Sequence, residues 1–211
     1  MAIILTVAQR KGGAGKTTLV ANLAAAFARS RRVALVDIDP QRSLARWHSL
    51  RVGHKSAPVP LTFSDVSGWR LPAELDRLKA AHDIVLIDSP PQIDTDARQA
   101  VRAATLVLVP IQPSPPDLWA AEGTFHMAAE EKRPVLLVLN RAPAASRLRT
   151  AMEADVAASG LSLLTTSLGN RTAFASAFAA GLGVSETAPR SLAGGEIAAL
   201  AEEILRAAGA G

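Results

Sequence analysis

The chain has no cysteine and no tyrosine, and each absence removes a class of chemistry. Without thiols there can be no disulfide, no thiolate metal site and no iron–sulfur cluster. No apolar run reaches transmembrane length, and the N-terminal apolar run is short and leads straight into a polar loop. Neither a membrane span nor a signal peptide is therefore expected, and the expected location is cytoplasmic. Histidines are few, and His48, His54, His82 and His126 show no ligand spacing. No long polar linker divides the 211 residues, of which 49% are hydrophobic. That content suits one core and a single domain over 1–211. What is in excess is positive charge, +4 net with a pI near 10.1, which points to a polyanionic partner.

Apolar runs at 2–8, 32–38, 83–88, 104–110 and 134–139 are rich in Val, Ile and Leu and mostly lack polar alternation, as strands covered on both faces do. Helical stretches at 17–29, 41–51, 72–81, 95–103, 117–131 and 145–158 lie between and after them. This order predicts an α/β fold, one doubly wound, mostly parallel sheet with helices on both faces. Shorter strand candidates fall at 61–63 and 161–166, and a last helix over 193–207 puts Ile197, Leu200, Ile204 and Leu205 on one face.

Between the first strand and the first helix lies Lys11-Gly12-Gly13-Ala14-Gly15-Lys16-Thr17-Thr18. Glycines here let backbone N–H groups close on a polyphosphate. Lys16 can then reach the β- and γ-phosphates, the Thr17 hydroxyl can ligate Mg²⁺, and the helix N-terminus faces the same anion. The general phosphate-loop pattern asks for glycine where this chain has Arg10, so the match is to a variant. A dinucleotide reading is also open, since Gly13-Ala14-Gly15 begins like G-x-G-x-x-G and Asp37 follows at a ribose-binding distance. The Lys16-Thr17 pair argues against it, because a triphosphate needs that charge.

Two acidic clusters end the next strands. Asp37-Ile38-Asp39-Pro40-Gln41 and Ile84-Val85-Leu86-Ile87-Asp88-Ser89-Pro90-Pro91 place carboxylates outside the carboxyl ends of strands, where ligands bind in open α/β sheets. The second has the shape of a Walker B element, whose carboxylate holds Mg²⁺ directly or through water. Asp39, before Pro40, can alternatively cap the following helix.

These segments, with Pro113-Ser114-Pro115-Pro116-Asp117, together resemble the ParA/MinD family of deviant Walker P-loop ATPases over nearly the whole chain. The likeness is greatest to its small plasmid-partition ParA (ParF-like) members. The resemblance implies Mg²⁺-dependent hydrolysis of ATP to ADP and phosphate by an ATP-dependent homodimer, in which Lys11 crosses to the partner subunit's phosphates. It implies nucleotide contacts from Lys11, Gly12, Gly13, Ala14, Gly15, Lys16, Thr17 and Thr18, with Asn140, Arg141 and Pro113 near the base. Lys11, Lys16 and Asp39 become the catalytic set, Asp39 orienting the attacking water. Thr17 and Asp88 become Mg²⁺ ligands, with Asp37 supporting Mg²⁺-bound water or the loop. The match departs from many relatives at Ala8-Gln9-Arg10.

Family branches built on cysteines (nitrogenase iron protein, arsenite-pump ATPases) or on a tyrosine tail are excluded by composition. A membrane-binding branch uses a basic terminal amphipathic helix. The last helix here sets Glu196, Glu202 and Glu203 against Arg206, so no membrane partner is expected. ParA-type members bind DNA without sequence preference, and Arg171 and Arg190, with Arg147 and Arg149 behind them, are the candidate contacts. The first expectation is a nucleoid-associated partition ATPase whose hydrolysis is stimulated by a centromere-binding (ParB/ParG-like) adaptor. Its alternatives are a positioning ATPase whose adaptor sits on a protein cargo, such as a chemotaxis cluster or a microcompartment, and a P-loop small-molecule synthetase.

Overall fold

Strands that are apolar from end to end need cover on both faces, and the fold supplies it. The computed structural model describes residues 2–55, 58–92, 94–143 and 147–209, with only the backbone of 147 and 148. Strands β1 (Ile3–Val7), β2 (Val33–Asp37), β3 (Thr62–Asp65), β4 (Ile84–Asp88), β5 (Leu106–Ile111) and β6 (Val135–Leu139) form a six-stranded sheet in the order β3-β2-β4-β1-β5-β6. Every pairing in it is parallel. The helices are α1 (Lys16–Phe27), α2 (Ser43–Val52), α3 (Leu71–Ala81), α4 (Thr95–Ala103) and α5 (Pro115–Glu130), then α6 (Arg147–Ala158), α7 (Thr172–Ala179), α8 (Val184–Thr187) and α9 (Leu192–Ala207). This is the doubly wound, parallel α/β architecture that the pattern of runs predicts.

The chain steps from β1 through β2 to β3 in one direction across the sheet and then returns through β4 to β5 and β6. Right-handed crossovers accordingly set α1 and α2 on one face and α3, α4 and α5 on the other. On the first face Leu19, Leu23 and Phe27 of α1 pack with Trp47 of α2, Phe174 of α7 and Ile197, Leu200 and Ile204 of α9. On the second, Val101 of α4, Met127 of α5 and Met152 of α6 share one cluster, and Leu71, Leu75 and Leu78 of α3 another. The loop after β1 turns to one face while the loops after its neighbours β4 and β5 turn to the other. That reversal opens a crevice at the carboxyl edge.

Three local expectations change. Residues 161–166 run beside β6 as an isolated bridge, Leu137 to Leu163, rather than a strand. The cause is Glu203 of α9, whose carboxylate takes the Thr165 and Thr166 N–H groups at 2.7 and 2.9 Å and draws the chain off the sheet. The strand expected at 61–63 is β3, one residue later at its start and running to Asp65. Helices α7 and α8 had no clear periodic signal, since Thr172–Ala179 is mostly alanine and phenylalanine. Packing selects them: Phe174 and Ala177 are buried beneath α7, and the Trp47 indole donates to the Leu182 carbonyl at 3.3 Å. Among the described residues no helix is long and apolar enough to cross a membrane, and the apolar face of α9 is buried within the first cluster.

Candidate functional site

The loop between β1 and α1 owes its shape to two glycines with left-handed backbone, Gly13 (φ 77°) and Gly15 (φ 94°), a region that a side chain disfavours. Gly15 is doubly constrained, because a Cβ there would run into the Asn140 amide. That amide instead donates to the Ala14 carbonyl at 2.8 Å and ties the loop to the end of β6. Gln9, 2% exposed, is a second brace. Its carbonyl accepts from Lys16 Nζ at 3.1 Å, its Oε1 accepts from the Lys11 N–H at 3.3 Å, and its Nε2 reaches the Pro110 carbonyl at 3.4 Å. Burial pushes the Lys16 ammonium below its usual pKa, opposed by the nearby charges of Asp88 and Asp39. Lys16 thus lies folded on its own loop, short of hydrogen-bond acceptors, at the N-terminus of α1.

Register brings the carboxylates to it. Asp88 sits between Val7 of β1 and Asp37 of β2 in the parallel ladder. It is fully buried, and among the described residues neither of its oxygens receives a hydrogen bond of proper geometry. Burial pushes its pKa up to about 7, Asp37 and Asp39 add to the rise, and the Thr17 hydroxyl and Lys16 oppose it. A carboxylate orphaned in this way is costly unless a cation arrives. The donor set fits Mg²⁺: a hard oxygen ligand at Asp88 with the Thr17 hydroxyl beside it. Among the described residues no cluster of three acidic or histidine groups could hold a metal, so most ligands of such an ion would be phosphate and water.

Asp37 is differently used. Its two oxygens accept from the N–H groups of Asp39 and Ala45, both at 3.0 Å, so it braces the 37–45 loop and the start of α2. Of the two roles open to it in the sequence, loop support is the one with visible partners. Burial nonetheless raises its pKa to about 6, against the pull of those two amides. Asp39 bends back to accept from the Gln41 N–H at 2.9 Å, and its other oxygen has no partner within hydrogen-bond reach among the described residues.

The second lysine of the loop has a partner in its own chain. Lys11 Nζ lies 2.6 Å from Asp117 Oδ2, in a pair whose lysine side chain is 41% exposed and whose aspartate is 2% exposed. Ser114 caps α5 and donates its hydroxyl to the same oxygen at 2.6 Å. Burial would raise the Asp117 pKa, but Lys11, Ser114 and the Gln112 N–H together hold it below the usual carboxylate range. Asp117 was visible in the sequence only as the end of the Pro113–Asp117 segment, and Gln9 only as a departure from the family pattern. Neither carried a signal of its contact.

Beside Gly15 and Thr18 opens a pocket of about 330 Å³ lined by Leu19, Asn22, Asn140, Arg141 and the 168–175 segment. Its position next to the loop and its mixed lining suit a nucleotide base. Asn140 and Arg141, the residues expected near the base, are among its lining residues. Pro113 is not among its lining residues; the turn that follows Pro113 meets Lys11 instead. Arg171 also lines this pocket, and its guanidinium grips Glu196 of α9 at 2.5 to 3.0 Å. The expected set of DNA-contacting arginines is therefore divided. Arg190 is exposed, Arg149 pairs with Glu153 on its own helix at 2.7 Å, Arg171 is engaged at the pocket, and the Arg147 side chain lies outside the described residues.

The profile of the family described as "CobQ/CobB/MinD/ParA nucleotide binding domain" matches residues 5–184. Maintenance of carboxysome distribution protein A of Halothiobacillus neapolitanus is 35% identical over 198 residues, 90% of this chain and 89% of that protein. The chromosome-partitioning ATPase Soj of Thermus thermophilus is 33% identical over 151 residues, 59% of each chain. Among solved structures, the septum site-determining protein MinD of Pyrococcus horikoshii, complexed with Mg-ADP, superposes with a TM-score of 0.81 at 21% identity, covering 99% of this chain and 98% of that one.

Proposed function

This chain belongs to the CobQ/CobB/MinD/ParA nucleotide-binding family, and on that premise we propose that it is an Mg²⁺-dependent ATPase that positions a protein cargo. Its cycle joins ATP-dependent dimerisation, non-specific DNA binding and hydrolysis stimulated by a cargo adaptor. The chemistry rests on one observation, a phosphate loop whose Lys16 lies within electrostatic reach of the buried Asp88. In this reading the loop N–H groups and Lys16 hold the β- and γ-phosphates, and the base occupies the pocket at Asn140 and Arg141. Mg²⁺, when bound at Asp88 and Thr17, neutralises charge on the phosphates. Asp39 orients the attacking water, with Asp37 fixing the loop that carries it. Phosphoryl transfer needs positioning and charge neutralisation more than a strong base, so one placed carboxylate suffices. Lys11, once released by Asp117, is the cation available to the partner subunit's phosphates.

Segregation of DNA, the first expectation of the sequence, yields here to its alternative. The similarity to a carboxysome-distribution protein extends over 90% of this chain, whereas that to the chromosome-partitioning ATPase covers 59%. A microcompartment is accordingly the favoured cargo, and the adaptor is a protein that sits on it. Deleting the gene in its host and following both DNA inheritance and compartment spacing separates the two. Clustered compartments with normal DNA inheritance are expected; loss of plasmid or chromosome copies with compartments evenly spaced would restore segregation. In vitro, DNA co-sedimentation should require ATP and fail with ADP.

A further inference from the structure

We propose that the groove between α3 and α4 is a docking site for an acidic amphipathic segment of a partner protein. The groove has a volume of about 580 Å³ and lies on the face of the sheet opposite α1, away from the nucleotide crevice. Its floor is apolar, formed by Ile4, Leu71 and Leu75, and its upper wall is Trp69, which is 69% exposed. An indole so exposed is a large unspent contact surface. It is also held in place. The preceding Gly68 N–H donates to Asp96 of α4 at 3.2 Å, and a Cβ at Gly68 would collide with that carboxylate. The Arg70 guanidinium lies 4.6 Å from the centroid of the Trp69 ring.

Charge selects the occupant. Lys79, Arg102 and Arg133 line the groove with a single acid, Asp76. Lys79 pairs with Asp76 and Arg102 with Glu131, each at 2.7 Å. Exposed Arg133 and Arg70 have no carboxylate partner among the described residues. A basic segment would meet these cations with one acid to answer it, while an acidic one gains at both the Trp69 wall and the Arg133 rim. The fit is a segment with an apolar stripe for the floor and carboxylates for Arg70 and Arg133. Two unpaired cations flanking an apolar floor are too few to track a nucleic-acid backbone.

The test uses the full chain and three fluorescent probes: a helical peptide with a leucine stripe and glutamates elsewhere, the same peptide with lysines for glutamates, and a single-stranded oligonucleotide. Anisotropy should show the acidic peptide binding, with affinity lowered about tenfold by Trp69→Ala and about threefold by Arg133→Glu. Both side chains are exposed, so the fold should survive, and unchanged ATP binding by each variant checks this. Failure of the acidic peptide to bind, equal binding by Trp69→Ala, or displacement by the lysine peptide or the oligonucleotide would overturn the proposal.

Discussion

The two edges of the sheet handle charge in opposite ways. At the carboxyl edge Lys16, Asp37 and Asp88 are all buried, and among the described residues Asp88 receives no hydrogen bond of proper geometry. Toward the amino edge and the far ends of the helices several charges are paired across elements: Arg32 chelates Asp83, and Arg98 and Arg102 converge on Glu131. The pKa shifts follow the split. Burial raises Asp37 and Asp88 to about 6 and about 7, whereas guanidinium partners hold Asp83 and Glu131 down at about 2. Stability alone favours the second arrangement, so the first marks where a ligand's charge is meant to complete the structure.

Removing the cation of the frustrated edge should have the largest effect. If Lys16 holds the β- and γ-phosphates as proposed, Lys16→Ala deletes a charge-assisted contact to both, and a loss of ATP affinity of about a hundredfold or more is expected by equilibrium titration. Near-normal affinity would mean that the crevice does not bind triphosphate through this loop.

Asp88→Asn separates function from stability at the same edge. The folded state holds its Asp88 proton up to about pH 7, against 3.8 for a free carboxyl. Below about pH 4 both states are protonated and nothing is lost. As pH rises from there through 7 the unfolded chain ionises first, and stability falls. The asparagine variant escapes that fall. It should be more stable than the parent by about 2 kcal/mol or more at pH 8, near equal at pH 4, and inactive with Mg-ATP. Denaturant melts without nucleotide at the two pH values decide it, and a variant less stable at pH 8 would show that Asp88 is not strained.

How far this contrast was legible in the sequence depends on how local its causes are. Strand positions and the loop could be read because Val, Ile and Leu runs and the Lys11–Thr18 motif carry their information within a few residues. Asp37, Asp39 and Asp88 were found by their place at strand ends. What stayed hidden depends on distant partners: Lys11 with Asp117, Gln9 with Pro110, Arg171 with Glu196. Nothing near Arg171 in sequence signals that α9 will supply its carboxylate, so it read as a candidate DNA contact. Helix α7 was hidden for a related reason, since its burial is decided by α1 and α2.

Lys11 and Asp117 form an intermediate case, a satisfied pair placed at the frustrated edge. Asp117→Asn keeps a group that can accept from Ser114 but removes the charge that holds Lys11. If the pair restrains the lysine, ATP-dependent dimers should form at about two- to fivefold lower ATP concentration, a range typical of a partly exposed ion pair. Light scattering across an ATP titration measures this. An unchanged midpoint would make the pair a helix-start contact only.

The smallest effect should come from the satisfied edge. Arg32 contacts Asp83 through its backbone N–H, Nε and Nη2 at 2.8, 3.3 and 2.8 Å, which on distances alone looks like a strong clamp. Both partners are open to water, however, and solvent and salt screen such pairs to little net worth. The backbone N–H bond to Asp83 also survives truncation of the side chain. Arg32→Ala should therefore leave ATP affinity unchanged and shift the thermal midpoint at neutral pH very little. Any contribution from the depressed Asp83 pKa is present above about pH 4 and disappears as pH falls through about 2. The parent and the variant should accordingly converge in acid. A loss of nucleotide binding in Arg32→Ala would break the contrast between the edges, because it would couple the exposed pair to a crevice at the other end of the strands.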